Sequence, residues 1–265
     1  MKKRTKINQK RFSDCWSKSS ELLYKRDDHN QYIDEIINGV DFSGKGELLE
    51  VGCGNGHIIK KLKEKCGHKF SITGLDISYD LLAEAKKNVE NSNLRLFHGE
   101  AEKLPFRRNS FDIIISISVM WYLDNPLDGF NEILRVLKPG GQFLVDFQNR
   151  YHVSYALDDL SGFINRHRKG SKHRSEKFIT RISPFRIRKR LLEGDTDARL
   201  VGYYCFFPNY LPNLGDKGNL FRYFPQLNVG VKNSVIKYSG AKLVCCGRKR
   251  HLKNGGQFQG AQALD

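Results

Sequence analysis

The sequence predicts an α/β fold, a mostly parallel sheet with helices on both faces. Three observations point that way. Leu48-Leu49-Glu50-Val51 is a short apolar run that breaks into Gly52-x-Gly54-x-Gly56, so a buried strand turns sharply into a helix. Phe111 to Ser118 is apolar almost throughout, which suits a strand covered on both faces. Strand-like and helix-like segments alternate around these landmarks, the pattern of strands joined by crossover helices.

The elements follow in order. Residues 1–46 form a helical leader, with turns of helix at Glu21 to Tyr24 and Gln31 to Ile37. After the first strand, a helix starts at about Gly56 and runs from His57 to Cys66. Ser71 to Leu75 is a second strand that ends in Asp76, and Leu94 opens a third. Phe111 to Ser118 is the fourth, and the helix containing Glu132 is ended by Pro139-Gly140-Gly141. Gln142 to Phe147 makes a fifth strand, and residues 148–180 are an insertion after it. Ser183-Pro184 is a suitable N-cap and first-turn pair for a helix reaching about Leu192. Arg199 to Phe207 and Ala241 to Gly247 read as two further strands. Between them, Pro208 to Val235 is a loop rich in Pro, Asn and Gly, with Tyr210, Phe221, Tyr223 and Phe224. The chain thus divides into a leader or cap (1–46), a core (47–150), a basic substrate-facing part with the closing strands (151–252) and a loose tail (253–265).

The glycine loop carries chemistry. Glycines let a ligand approach the backbone, and the helix start points free N–H groups at it. Asp76 follows Gly56 by 20 residues, where a carboxylate can accept the hydroxyls of a ribose. A dinucleotide fingerprint would need glycine where His57 stands, and no Gly-Lys-Ser/Thr of a P-loop follows. Glu50 would sit badly beside a pyrophosphate but would balance a ligand carrying an ammonium and a sulfonium. That description fits S-adenosylmethionine. Glu50 to Gly56 resembles the first motif of class I S-adenosylmethionine-dependent methyltransferases, and His98-Gly99-Glu100-Ala101 to Phe106 resembles the loop that grips adenine.

The resemblance covers about residues 45–150 and leans toward the ubiquinone/menaquinone-type branch. It implies a Rossmann-like seven-stranded sheet, mostly parallel, with the last two strands closing antiparallel. It implies S-adenosyl-L-methionine as cofactor, held by Glu50, Gly52, Cys53, Gly54, Asn55, Gly56, Asp76, Ile77, Glu100, Ala101 and Ser116. Glu100 stands where the family more often has Asp. The leader would fold over the cofactor, with Trp16 and Tyr24 as candidate lining residues. The methyl group would face the C-terminal edge of the fourth and fifth strands, where Ser118, Trp121, Tyr122, Asp146, Asn149 and Tyr151 are candidates. Many relatives carry His at the position of Tyr122. A phenol, with an unperturbed pKa of about 10, orients a substrate better than it takes a proton. Tyr122 and His152 are therefore the candidate catalytic residues, while His57 and His98 lie beside the cofactor motifs.

Composition narrows the partners. Of 265 residues, 45 are Lys or Arg and 29 Asp or Glu, a net charge of +16. Residues 1–150 hold 24 basic against 21 acidic side chains, whereas residues 151–265 hold 21 against 8, so nearly all the excess lies in the second part. Arg166 to Arg190 alone carries eleven Lys and Arg and one acid, Glu176. Such a run is either a merely soluble surface or a face for something anionic. The acceptor is accordingly expected to be a small or carrier-linked anionic metabolite, methylated on O, N or C. An RNA methyltransferase using residues 166–190 is the alternative, although no Asn/Asp-Pro-Pro-Tyr/Phe motif is present; contact with an acidic membrane is a further possibility. A catalytically silent cofactor-binding subunit is the third reading. Six cysteines show no ligand spacing, which argues against zinc and for a reducing, cytoplasmic setting. No apolar stretch follows the basic start as a signal peptide would require, and none is long enough to span a bilayer.

Overall fold

The computed structural model describes residues 27–89, 94–151, 179–193, 195–203 and 242–251. Trp16, Tyr24, His152, the run up to residue 178, the loop from Pro208 to Val235 and the tail from Lys253 lie outside them. In chain order the elements are α1 (Asp27–Ile37), β1 (Gly46–Val51), α2 (His57–Cys66), β2 (Phe70–Asp76), α3 (Tyr79–Asn88), β3 (Arg95–His98) and β4 (Phe111–Ser116). A 3-10 turn (Met120–Tyr122), α4 (Pro126–Val136), β5 (Leu137–Gln148), α5 (Pro184–Glu193), β6 (Thr196–Tyr203) and β7 (Lys242–Lys249) follow.

The seven strands form one sheet in the order β3-β2-β1-β4-β5-β7-β6. β1 through β5 pair in parallel, and β7 runs antiparallel between β5 and β6. The expected seven-stranded architecture is therefore present, antiparallel closure included. Side-chain alternation splits the core into two layers. Leu49, Ile114, Phe143, Val145 and Phe147 face α4 and α5 through Phe130, Ile133, Ile187 and Leu191. Leu48, Ile72, Ile113, Ile115 and Leu144 face the other way, onto Ile33, Ile37, Ile58, Ile59 and Leu62 of α1 and α2. Phe130 packs edge-on against Phe143 and Phe147, with ring centroids 5.4 and 5.9 Å apart.

Cys245 and Cys246 belong to opposite layers, as adjacent strand residues should, and both are free thiols. Among the described residues no group of three potential ligands could hold a metal ion, and no helix is long and apolar enough to cross a membrane.

Two boundaries differ from expectation for physical reasons. The helix before β5 stops at Val136, not at Pro139-Gly140-Gly141. A proline disfavours helical backbone in the residue before it and cannot donate to the previous turn, so the helix must end ahead of Lys138. Lys138 to Gly141 instead form an irregularity inside β5, because the pairing jumps from Phe111↔Leu137 to Ile113↔Gln142. β4 ends at Ser116, and Ser118 has a positive φ of 66°, which no continuing strand allows.

α1 lies alongside α2 in a repeating register. Asn30 Oδ1 meets His57 Nε2 at 2.8 Å, Lys61 Nζ donates to Asp34 at 2.9 Å, and Lys65 Nζ donates to Asn38 Oδ1 at 2.5 Å. Each pair is 27 residues apart, so the two helices run parallel with one contact per turn. The described part of the leader is thus docked on the core.

Candidate active site

The site sits where strand order reverses, between β1 and β4, at the C-terminal edge of the sheet. Gly52, Gly54 and Gly56 all have positive φ, and a side chain on Gly52 would meet Val119 Cγ2 at 2.2 Å. This loop can only be built from glycine. Gly52 and Cys53 donate their N–H groups to the Leu75 carbonyl at 2.6 and 3.0 Å, which ties the loop to the end of β2. Gly74 is needed in turn, because a Cβ there would lie 2.8 Å from Cys53 Sγ.

Asp76 completes the loop. Its Oδ2 accepts the Gly54 N–H at 2.8 Å, and its Oδ1 accepts the Ser78 N–H at 2.9 Å. A carboxylate has about four acceptor positions, so both oxygens keep capacity for a ligand. Glu50 is 1% exposed, and its Oε2 has no hydrogen-bond partner among the described residues. Burial, and then the negative Asp76 nearby, push the Glu50 carboxyl well above the usual range. Burial also raises Asp76, while the N–H groups of Ser78 and Gly54 pull it back. Asn55 Oδ1 on the same loop is a second buried acceptor without a partner among the described residues. Two unmet acceptors under a glycine loop fit a ligand that brings positive charge and N–H or O–H donors.

The remaining cofactor candidates are placed as follows. Ile77 follows Asp76, and its carbonyl accepts from His98 Nε2 at 3.0 Å; the His98 ring stacks on Tyr79 at 3.7 Å. Glu100 and Ala101 lie just past β3, with Gly99 N–H bonded to the Asp76 carbonyl at 2.9 Å and Ala101 buried. Ser116 is fully buried, and its hydroxyl donates to the Val51 carbonyl at 3.0 Å, so that hydroxyl joins β4 to β1. Burial, then Lys61 and Lys60, push His57 down to about 4, which keeps it neutral beside the loop.

Past the ends of β4 and β5 lies a second group. Asp146 is fully buried; its Oδ1 accepts the Ser118 N–H at 2.6 Å and its Oδ2 accepts the Tyr32 hydroxyl at 3.0 Å. Lys242 Nζ is 3.8 Å from Asp146 Oδ2, 4.3 Å from the centre of the Tyr32 ring and 5.1 Å from that of Trp121. Burial raises the Asp146 carboxyl, opposed by Lys242 and by both hydrogen bonds. Asp146 is therefore an anchor for Ser118 and for the leader, rather than a free base. The Ser118 hydroxyl itself is buried without a partner among the described residues.

Tyr122 is half-buried on the 3-10 turn beside Trp121, with ring centroids 5.8 Å apart. Asn149 is buried and accepts the Tyr151 N–H at 3.0 Å, while Tyr151 is exposed. Tyr32 and Lys242 were not legible as site residues, since they come from 114 residues before Asp146 and from the last strand. The Thr180 N–H donates to the Trp121 carbonyl at 2.6 Å, which ties the segment before α5 to this same edge.

A cleft of about 540 Å³ lined by Arg108, Glu132, Arg190 and Lys249 opens near the start of β6 and the end of β7. That is the opposite edge of the sheet, away from the glycine loop. Its charges are largely spent internally: Arg135 pairs with Glu132 at 2.7 Å, and Lys249 Nζ donates to the Leu134 and Leu137 carbonyls at 2.9 and 2.7 Å.

Comparison with known proteins agrees with this geometry. Residues 49–145 match the family described as methyltransferase domain. The demethylmenaquinone methyltransferase of Staphylococcus epidermidis is 33% identical over 114 residues, 43% of this chain and 47% of that protein. The chain therefore matches about half the length of such a relative. Among solved structures, an S-adenosylmethionine-dependent methyltransferase from Thermotoga maritima superposes with a TM-score of 0.63 at 17% identity, covering 91% of this chain and 99% of that one. A Haemonchus contortus phosphoethanolamine N-methyltransferase 2, in complex with S-adenosyl-L-methionine, gives 0.63 at 15% identity over 94% of this chain and 60% of that one. In sheet order, in the glycine loop closed by Asp76 and in the match over residues 49–145, the core of this chain is similar to S-adenosylmethionine-dependent methyltransferases.

Proposed function

We propose that this protein transfers a methyl group from S-adenosylmethionine to an oxygen, nitrogen or carbon of a small or carrier-linked anionic acceptor. The observation that carries the reading is the buried Glu50 carboxylate, whose Oε2 has no partner among the described residues. A carboxylate held out of water is costly unless a cation or donors meet it. When bound, the cofactor supplies a methyl group already activated on a sulfonium. Glu50 would balance that positive charge, Asp76 would accept from the ribose on the positions left by Gly54 and Ser78, and Glu100 with the Ala101 N–H would hold adenine.

The chain's own work is alignment and exclusion of water, because in-line displacement from a sulfonium needs little else. Asp146 fixes the Ser118 backbone at the strand edge, and Tyr122 orients the acceptor. Support for an anionic acceptor comes from the basic excess of the second part of the chain. The test is a panel of acceptors in matched phosphorylated and unphosphorylated forms, followed by S-adenosylhomocysteine formation. Preference for the charged member by tenfold or more (about 1.4 kcal/mol) is expected. Equal turnover of both would overturn the anionic part, and no product with any acceptor would leave a binding protein.

A further inference from the structure

We propose that α5 seats the protein on the surface of an anionic lipid bilayer. α5 is held to the core by Pro184, Ile187 and Leu191, and its outer side carries unusual side chains. Phe185 is 63% exposed and Leu192 is 72% exposed. They are seven residues apart, two helical turns, so they project from the same face. Arg188 and Lys189 lie between them on that side and are exposed as well. The exposed ring of Tyr151, 6.3 Å from that of Phe185, widens the apolar patch.

Single exposed apolar residues are ordinary, but a Phe, a Leu and a Tyr gathered beside cations are the composition of a helix that lies in a membrane interface. The charge agrees. α5 holds Arg186, Arg188, Lys189 and Arg190 against one acid, Glu193. The exposed Lys189–Glu193 pair, at 3.6 Å, is too loose and solvated to cancel that field. A nucleic acid would use the same cations, yet Leu192 offers no flat face on which a base can stack, whereas hydrocarbon accepts Leu and Phe alike. Position gives the patch a use. The strand-like segment leading into α5 is bonded to Trp121 through Thr180 and to Gln148 through Ile182, at the edge where the acceptor would enter. A bilayer against α5 therefore lies within a few residues of that edge.

The test uses the full chain and sedimentation with vesicles of phosphatidylcholine alone or mixed with phosphatidylserine, at low and high salt. The wild type should bind only the mixed vesicles, and less at high salt. Arg188→Gln with Lys189→Gln should weaken binding about 30-fold, since each cation near an anionic surface contributes about fivefold. Phe185→Ser with Leu192→Ser should weaken it by tenfold or more without changing the melting temperature, because both side chains are exposed. Absence of binding to mixed vesicles, or unchanged binding by both double variants, would overturn the proposal. So would tight binding of single-stranded RNA by the wild type that the same variants lose, which would assign the surface to nucleic acid.

Discussion

Two buried carboxyl groups side by side, Glu50 and Asp76, couple cofactor binding to the release of a proton. Burial and Asp76 hold the Glu50 carboxyl well above its usual range, so without a cation it keeps its proton to a higher pH than in water. A sulfonium or ammonium brought beside it favours the charged form. Binding therefore releases a proton, and affinity rises with pH until Glu50 ionises unaided, then levels off. Titration calorimetry in two buffers of different ionisation enthalpy should show that release in the wild type and lose it in Glu50→Gln. Asp146 is a different case. Asp146→Ala removes the partner of Ser118, Tyr32 and Lys242 together, and should cost about 3–5 kcal/mol in denaturant unfolding. Tyr32→Phe, which removes one hydroxyl, should cost only about 1 kcal/mol. Glu50, the glycines and Asp76 were legible in the sequence because local spacing fixes their relation. Tyr32 and Lys242 were not, because only the folded sheet brings them together.

At the scale of elements, the chain rewards reading where local sterics decide the backbone. α2 runs from His57 to Cys66 as the glycine punctuation predicts, and Ser183-Pro184 does open α5. The helix end at Lys138-Pro139-Gly140-Gly141 was misjudged because Pro and Gly mark either a helix stop or an irregular strand. Strand pairing on either side decides between them, with Phe111↔Leu137 and Ile113↔Gln142 bracketing the irregularity, where Lys138 Nζ donates to the Asp112 carboxylate at 2.7 Å. Gly52→Ala tests the loop. It forces a left-handed residue against Val119, so it should cost about 1–2 kcal/mol of strain and weaken cofactor binding at the same time. Phe130→Ala tests the α4 layer, where the ring fills the space between Phe143 and Phe147. Unfolding in urea should show a loss of about 3–5 kcal/mol.

For the whole molecule, the fold was legible because β1 and β4 carry buried apolar runs and the glycine loop marks the turn from strand to helix between the first pair of elements. The acceptor was not legible, since its candidates gather from α1, the 3-10 turn, β5 and β7. Stability against pH should carry the mark of His57. The unfolded chain protonates this residue near 6.5 and the folded chain only near 4, so between those values the unfolded state binds more protons. Its contribution is complete above 6.5 and is lost as pH falls toward 4. The raised carboxyls of Glu50, Asp76 and Asp146 tilt the other way, favouring the folded state at low pH. Melting curves of the wild type and His57→Gln across that window separate the two: the wild type should lose stability relative to the variant as pH falls from 6.5 toward 4, and the difference should be constant above pH 6.5. Calorimetric titration of the full chain with S-adenosylmethionine measures the cofactor site directly. One molecule bound per chain, with affinity at least tenfold weaker in both Glu50→Gln and Asp76→Ala (about 1.4 kcal/mol), is the expected result. No binding by the wild type, or equal binding by both variants, would contradict it.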